Sequence, residues 1–304
     1  MINSPTFAAG HTNDNPFQRL EGCRKGESTK GLHNLKQYLQ KFGYYLNHNN
    51  NNDTNFNVAA ITHQNDDVFD ELLEAAIKLY QLTHHIPASG SLDRATTAQM
   101  TTPRCGVPDH NLISAVMELE PDAATNKGGP NKKDYRFFKG EPKWNQNRFR
   151  YKFFRGRPPA GLKEATYKSA VARAFRSWSN VTRFAFENVD SRVLLNVDMT
   201  IAFYSRDHGD GNPFDGPKGT LAHAAQPRYG LFHLDADEKW TDNPRRKDQF
   251  DLESISLHEI GHMLGLDHSD DKSAAMYAYL DGGKTKRRLQ SADIRGIKTL
   301  YKLR

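Results

Sequence analysis

The sequence predicts an α+β domain preceded by a small all-α domain, and three observations predict it. Apolar residues recur at helical spacing between Gly31 and Met100, and a stretch rich in Gly, Pro, Lys and Asn follows. Beyond that stretch, runs with the two-residue period of strands are mixed with long helical patterns. A chain of 304 residues has room for two modest domains, each with its own core.

Residues 1–24 carry no clear period and form an irregular N-terminal segment. In "KGLHNLKQYLQKFGYY", Leu32, Leu35, Leu39 and Phe42 share one helical face. The asparagine-rich run Asn47–Asn55 has the composition of a surface loop. Phe69, Leu72, Leu73, Ala76, Leu79 and Tyr80 make a second apolar stripe, and Asp93 is a candidate cap for a third, short helix. These elements place the helical domain within residues 25–110. Residues 111–140 include "PDAATNKGGPNKKD", an exposed linker by composition and one that a protease can reach.

Residues 141–304 begin with "RFRYKFF", in which Phe149, Tyr151 and Phe153 alternate with Arg150 and Lys152 as in a half-buried strand. A long helix follows, with Tyr167, Val171, Ala174, Phe175 and Trp178 on one face. Strand-like runs recur at "RFAFENV", "LLNVDMTIAFY" and "GTLAHAA". A second long helix is expected from Leu252 to about Gly265, where glycine can take the left-handed conformation that stops a helix. The final helix places Ile294, Ile297 and Leu300 at helical spacing.

Composition narrows the function classes. Charged residues make up 26% and apolar residues 37%, as in a folded globular chain, and no apolar run is long enough to cross a bilayer. The net charge of +6 comes from basic residues interleaved with acids, without a nucleic-acid motif, so nucleic acid is not an expected partner. The short basic cluster "KTKRR", Lys284–Arg288, is expected in a surface loop. Two cysteines, Cys23 and Cys105, exclude a disulfide scaffold. The first twenty residues lack the basic start and apolar core of a secretory signal, and the chain reaches Arg304 without an apolar anchoring tail.

The strongest chemical signal is "HEIGHMLGLDHS", His258–Ser269. On a helix, His258 and His262 point to the same side one turn apart, and a turn at Gly265 brings His268 round to the same point. Three neutral imidazoles leave one position of a tetrahedral zinc open, as catalytic zinc requires. Glu259 is placed to take a proton from the attacking water, whose acidity a metal raises. This extended motif, with Met276 following in "SAAMYAYL", is the metzincin pattern. Two other classes stay open here: a metal-stabilised binding module without catalysis, and a basic nucleic-acid binder.

Three further stretches make the chain resemble the matrixins, the matrix metalloproteinases, of the plant type. "PRCGVPD", Pro103–Asp109, is similar to the cysteine switch of the matrixin propeptide. The resemblance implies that Cys105 takes the open position on the catalytic zinc in a latent form, with Arg104 and Asp109 paired to hold the loop. "DHGDGNPFDGPKGTLAHAAQPRYGLFHLDADEKW", Asp207–Trp240, is similar to the segment that binds structural ions. By that resemblance His208, Asp210, His223 and His233 hold a structural zinc. Asp215, Asp235 and Glu238 hold calcium through carboxylates, and Gly216, Lys218 and Thr220 through carbonyls. "KGLHNLKQYLQKFGYY" and "DELLEAAIKLYQL" are similar to the plant propeptide.

The fold implied is a matrixin catalytic domain, a twisted mixed sheet with helices. The activity implied is that of a zinc endopeptidase with protein or peptide substrates, switched on by another protease or by autolysis. Such a chain is expected to act as a monomer in the extracellular space or apoplast. Leu221 and Ala222 would pair with the substrate backbone. His258, Tyr277, Tyr279 and the loop Asp281–Leu289 would wall the pocket after the scissile bond. Departures from the pattern are Leu231, where many relatives place an aspartate for a second calcium despite Asp198, the larger Lys218, and Ala278 in place of a proline. Cys105 is expected to be a free thiol.

Overall fold

The computed structural model describes residues 16–45, 66–109, 134–154, 156, 158–189 and 197–304. The loop expected at Asn47–Asn55 and the linker up to residue 133 lie outside them. The chain divides into two compact units, one holding Thr12–Thr101 and Pro108–Lys132, the other Thr102–Val107 and Lys133–Arg304.

In the smaller unit, helix α1 (Leu32–Lys41), α2 (Glu71–Thr83) and α3 (Arg94–Met100) follow the predicted stripes. Each start is capped by an aspartate that answers helix N–H groups with no partner in the helix. Asp70 accepts from Leu73 N and Asp93 from Thr96 N, while Asp67 reaches from outside to Gly31 N and His33 N of α1. Leu32, Leu35, Leu39, Leu73, Ile77 and Tyr80 form the core. Lys36 on α1 is fully buried, and its ammonium is matched by Asp66 at 2.8 Å and Asp70 at 2.7 Å. A buried cation needs such pairing to offset lost hydration.

The larger unit is α+β. A six-stranded sheet runs β1 (Arg104–Cys105), β5 (Thr220–Ala224), β6 (Leu231–Asp235), β4 (Met199–Tyr204), β2 (Arg148–Phe153) and β3 (Ala185–Asn188) in spatial order. Only the β5–β6 pair is antiparallel, joined by a short hairpin. A two-stranded ribbon, β7 (Trp240–Thr241) with β8 (Phe250–Asp251), leads into helix α5 (Leu252–Met263). Helices α4 (Glu164–Val181) and α6 (Ser291–Leu300) complete the unit.

Strand β2 buries Phe149, Tyr151 and Phe153 and turns Arg148 and Arg150 outward, as its alternation predicts. Strand β5 departs from that pattern: all five residues are buried, because it is covered on both faces and paired on both edges. The face of α6 also differs from the expected stripe. Ile297 and Leu300 are buried, Ile294 is half-buried, and Asp293 and Gly296 lie on the buried side.

Trp178 ties α4 to α5. It is fully buried, and its indole N–H donates to Leu257 O at 2.9 Å. Trp178→Phe keeps most of the volume but removes the donor to the Leu257 carbonyl, so unfolding in urea should become easier by about 1–3 kcal/mol. An unchanged midpoint and slope would contradict this role.

Candidate active site and metal centres

Every residue of α5 is buried, which hides the one-sided periodicity of a surface helix. Asp251 caps its start by accepting from Ser254 N at 2.9 Å. At its end the indole N–H of Trp144 donates to Met263 O at 2.7 Å and the Tyr301 hydroxyl to Leu264 O at 2.9 Å. These bonds satisfy carbonyls that the helix leaves unpaired. Gly265 has φ +102°, so the chain can leave the helix where a side chain would be strained.

His258 and His262 project from one face of α5 with Nε2 atoms 3.0 Å apart. The Nδ1 of His258 lies 2.7 Å from Ala275 O, and that of His262 lies 2.9 Å from Leu266 O. A carbonyl can only accept, so each Nδ1 carries the proton and each Nε2 presents a bare lone pair. Burial, with repulsion from His268, holds His258 well below the usual histidine range, so it is neutral. Two lone pairs 3.0 Å apart repel unless a cation sits between them.

Cys105 Sγ is 3.5 Å from His262 Nε2, and the ligand atoms of Cys105, His258, His262 and His268 all lie within 4.8 Å of one another. Tetrahedral zinc at ordinary bond lengths sets its ligand atoms about 3.3 Å apart for two nitrogens and about 3.6 Å for nitrogen and sulfur. The donor set and its spacing fit that ion.

Glu259 is fully buried, and neither carboxylate oxygen accepts a hydrogen bond of ordinary geometry. Burial pushes its pKa up to about 8, with a smaller opposing pull from the Cys105 thiol. Burial and then the Glu259 charge push the Cys105 thiol up as well. A divalent cation at this point reverses both tendencies, since it favours the anionic form of each group.

Met276, 2% exposed, lies against Gly261 of the helix that carries His258 and His262. A Cβ on Gly261 would run into Met276 Sδ and come within 3.0 Å of Trp178, so the glycine inside the histidine motif admits the methionine floor. Asp293 was not singled out by sequence reasoning. Its carboxylate accepts from Ala275 N at 2.9 Å, Met276 N at 3.0 Å and Gln290 N at 2.7 Å. An aspartate three residues into a helix looks like an ordinary cap, and only the fold brings the methionine turn to it.

The second cluster joins His208, Asp210, His223 and His233. Asp210 Oδ2 lies 2.9 Å from His208 Nε2, 2.8 Å from His223 Nε2 and 3.0 Å from His233 Nδ1. The imidazole nitrogens of His208 and His223 each lie 3.2 Å from that of His233, again close to the edges of a zinc tetrahedron. Burial and the neighbouring His223 lower the His233 pKa to about 4, so it is neutral. Burial pushes Asp210 upward, but the His223 hydrogen bond and the Asn212 N–H outweigh it and hold the carboxyl well below its usual range.

The loop before β5 wraps a carboxylate group. Asp215 accepts from Thr220 N at 2.9 Å and Glu238 from Lys218 N at 2.5 Å, and Asp235 is fully buried with Oδ2 unpartnered. Gly216 and Lys218 both have positive φ, 90° and 63°, which folds the loop back over these acids. Burial, reinforced by the neighbouring acids, pushes Asp235 up to about 7 and Glu238 up to about 9. Packed carboxylates that resist ionising alone suit a hard cation such as calcium. Asp198, the residue considered for a second calcium, is otherwise engaged: its oxygens accept from Gln146 Nε2 at 2.8 Å and Arg150 N at 2.7 Å.

The segment Pro103–Gly106 lies along the outer edge of β5. Arg104 N donates to Gly219 O at 2.8 Å and Gly106 N to Ala222 O at 2.7 Å. On its other side Cys105 N donates to Ala278 O at 2.8 Å and Leu280 N to Pro103 O at 3.1 Å. Arg104 is 2% exposed and donates to the Tyr279 hydroxyl at 3.1 Å. In the smaller unit Asp109 accepts from the Tyr44 hydroxyl at 2.7 Å. Both cysteines are free thiols.

A pocket beside His258 is lined by Ser254, Ile255, Tyr277, Tyr279, Leu280 and Lys286. In the basic cluster Lys284, Thr285 and Arg288 are exposed in a loop, as expected, while Lys286 and Arg287 are half-buried. Lys286 Nζ donates to Lys272 O at 2.7 Å and sits 4.6 Å over the Tyr277 ring, while Arg287 Nε donates to Asp251 at 2.9 Å.

Comparison with known proteins decides the family. The family described as Matrixin matches residues 143–302. The chain belongs to the matrixin family. One described as a putative peptidoglycan binding domain matches residues 28–100. Metalloendoproteinase 5-MMP of Arabidopsis thaliana is 38% identical over 94% of this chain and 75% of its own length. Metalloendoproteinase 1 of Glycine max is 39% identical, over 91% and 83%. Matrix metalloproteinase-16 of Homo sapiens is 34% identical, over 92% of this chain and 43% of its own. As a matrixin the chain is a zinc-dependent metalloendopeptidase that acts on proteins and uses zinc, catalytic and structural, and calcium. Among the described residues no helix is long and apolar enough to cross a membrane.

Elemental analysis of the purified chain should find two zinc ions per molecule, and His262→Ala should retain one. Gly261→Ala should keep the His208 cluster loaded while weakening zinc at His258 and His262, because Met276 must move. Equal retention at both sites would contradict the steric role of Gly261.

Proposed function

We propose that the chain is made as a latent zymogen, in which residues 25–110 are a propeptide, residues 111–140 a cleavable linker and residues 141–304 the catalytic domain. The observation that carries this is the Cys105 thiol beside His262, within the cluster that would hold the catalytic zinc. His258, His262 and His268 hold the ion, and Cys105 takes the fourth position and excludes water. Arg104 anchors the switch strand against Tyr279, and Asp109 anchors the chain after it through Tyr44.

Once bound, zinc supplies a Lewis acid that acidifies water and polarises the scissile carbonyl. Removal of Cys105 opens that position to water and substrate. An extended substrate then takes the place of Pro103–Gly106 on the edge of β5, pairing with the backbone at Leu221 and Ala222. Ala222 O, which now accepts from Gly106 N, can hold a substrate N–H instead. Glu259 removes a proton from the attacking water and returns it to the leaving nitrogen. Glu259, next to His258 in the chain, is a carboxylate held out of bulk water, and it can serve as the base once a metal has acidified the attacking water.

The pocket beside His258 receives the side chain that follows the scissile bond. With Cys105 in its wall it has about 10 Å³, the room of a single water, so release of the switch segment would widen it for a side chain. His208, Asp210, His223 and His233 hold the structural zinc. Asp215, Asp235 and Glu238, with the Gly216, Lys218 and Thr220 carbonyls, hold calcium. An extracellular location suits the calcium site, which ambient calcium outside the cell would keep loaded.

Intact protein should hydrolyse a quenched fluorescent peptide slowly, and a mercurial that captures Cys105 should release activity that a chelator then removes. Cys105→Ser should be active without the mercurial. Glu259→Ala should lower kcat/KM by about 100-fold or more with both zinc ions retained. A zinc-loaded, mercurial-treated chain without hydrolysis would turn the reading toward a binding module. Strong labelling of Cys105 while zinc is bound would exclude the thiolate ligand.

A further inference from the structure

We propose that Asp293 is a positioning residue that sets the basicity of the His258 ligand, acting through the single peptide group that joins Ala275 to Met276. The inference rests on the reading of His258 as a ligand of the catalytic zinc.

That peptide group is bonded at both ends. Its carbonyl, Ala275 O, accepts from His258 Nδ1 at 2.7 Å, and its N–H, on Met276, donates to Asp293 Oδ1 at 3.0 Å. Negative charge at the N–H end pulls the peptide dipole into line and makes the carbonyl a stronger acceptor. A stronger acceptor draws the Nδ1 proton and raises electron density at Nε2, the atom that faces the metal position. The neighbouring ligand offers an internal contrast. His262 Nδ1 donates to Leu266 O at the longer distance of 2.9 Å.

Capping alone does not account for Asp293. The cap of α6 uses one bond, Gln290 N to Asp293 Oδ2 at 2.7 Å, and the other two serve Ala275 N and Met276 N. The side chain is 1% exposed, and burial raises its pKa, while its three N–H donors favour the charged form. An asparagine has one acceptor oxygen where this site needs two, so it cannot serve all three donors. Lys286, a cation that feels Asp293, donates to Lys272 O at 2.7 Å.

The test uses the full latent chain, loaded with zinc and labelled with ¹⁵N at histidine. In the wild type, the Nδ1 proton of His258 should resonate downfield of that of His262. In Asp293→Asn it should move upfield while the His262 proton stays in place. Competition with a chromogenic chelator should show about a 10- to 100-fold weaker catalytic zinc, with the zinc at the His208 cluster unchanged. Asp293→Glu should recover part of the loss. Unchanged affinity, or lost affinity with the His258 proton unmoved, overturns the proposal, the latter because it marks Asp293 as a steric prop. Should Asp293→Asn fail to fold, the order of the two wild-type resonances decides, and coincident or reversed resonances overturn it. A wild-type chain that loads zinc only at the His208 cluster removes the underlying site reading itself, whatever Asp293→Asn does.

Discussion

The two unprotonated Nε2 atoms of His258 and His262, 3.0 Å apart, are the constraint around which the larger unit is arranged. Both tautomers are fixed by backbone carbonyls, one from the methionine turn and one from the turn after Gly265. The arrangement is tolerable only with a cation between the rings, so metal and fold stabilise one another. The complete burial of α5, the glycine at position 261 and the capped carbonyls at its end all serve to hold these two rings still.

The proposed latency would follow from the same geometry. A segment that ends on a thiol can be held at the metal only if its backbone is held too. Pro103–Gly106 gains backbone bonds on both sides, to Gly219 and Ala222 and to Ala278 and Leu280. The edge of β5 is therefore occupied in the latent chain, and the row of donors and acceptors it would offer a substrate is already satisfied. In the proposed zymogen, one short strand would block both the metal and the peptide-binding edge.

Charge is managed differently in the two units. Lys36 in the smaller unit is paired with Asp66 and Asp70, so its burial needs no ion. Asp235 and Glu238 in the larger unit sit among other acids, and burial pushes their pKa values up to about 7 and about 9. Acids packed in this way suit a hard cation as their partner, and an ion held there would brace the loop before β5. Since the outer edge of β5 also carries the Pro103–Gly106 segment, an ion bound in that loop would support the cleft indirectly.

Much of this was legible in the sequence, because its signals are local. Helix period, the cap at Asp93, strand alternation in β2 and the offsets of His258, His262 and His268 each depend on a few neighbouring residues. Resemblance to the matrixins pointed to the second histidine cluster and the switch cysteine, whose members are scattered between Cys105 and His233. Tertiary structure alone decided the rest. It turned Asp293 from a helix cap into a brace for the methionine turn, moved Ile294 toward the surface, buried every residue of β5 and tied Arg287 to Asp251. Those outcomes depend on which distant segments meet, and a sequence encodes such meetings only through the summed packing of the whole core.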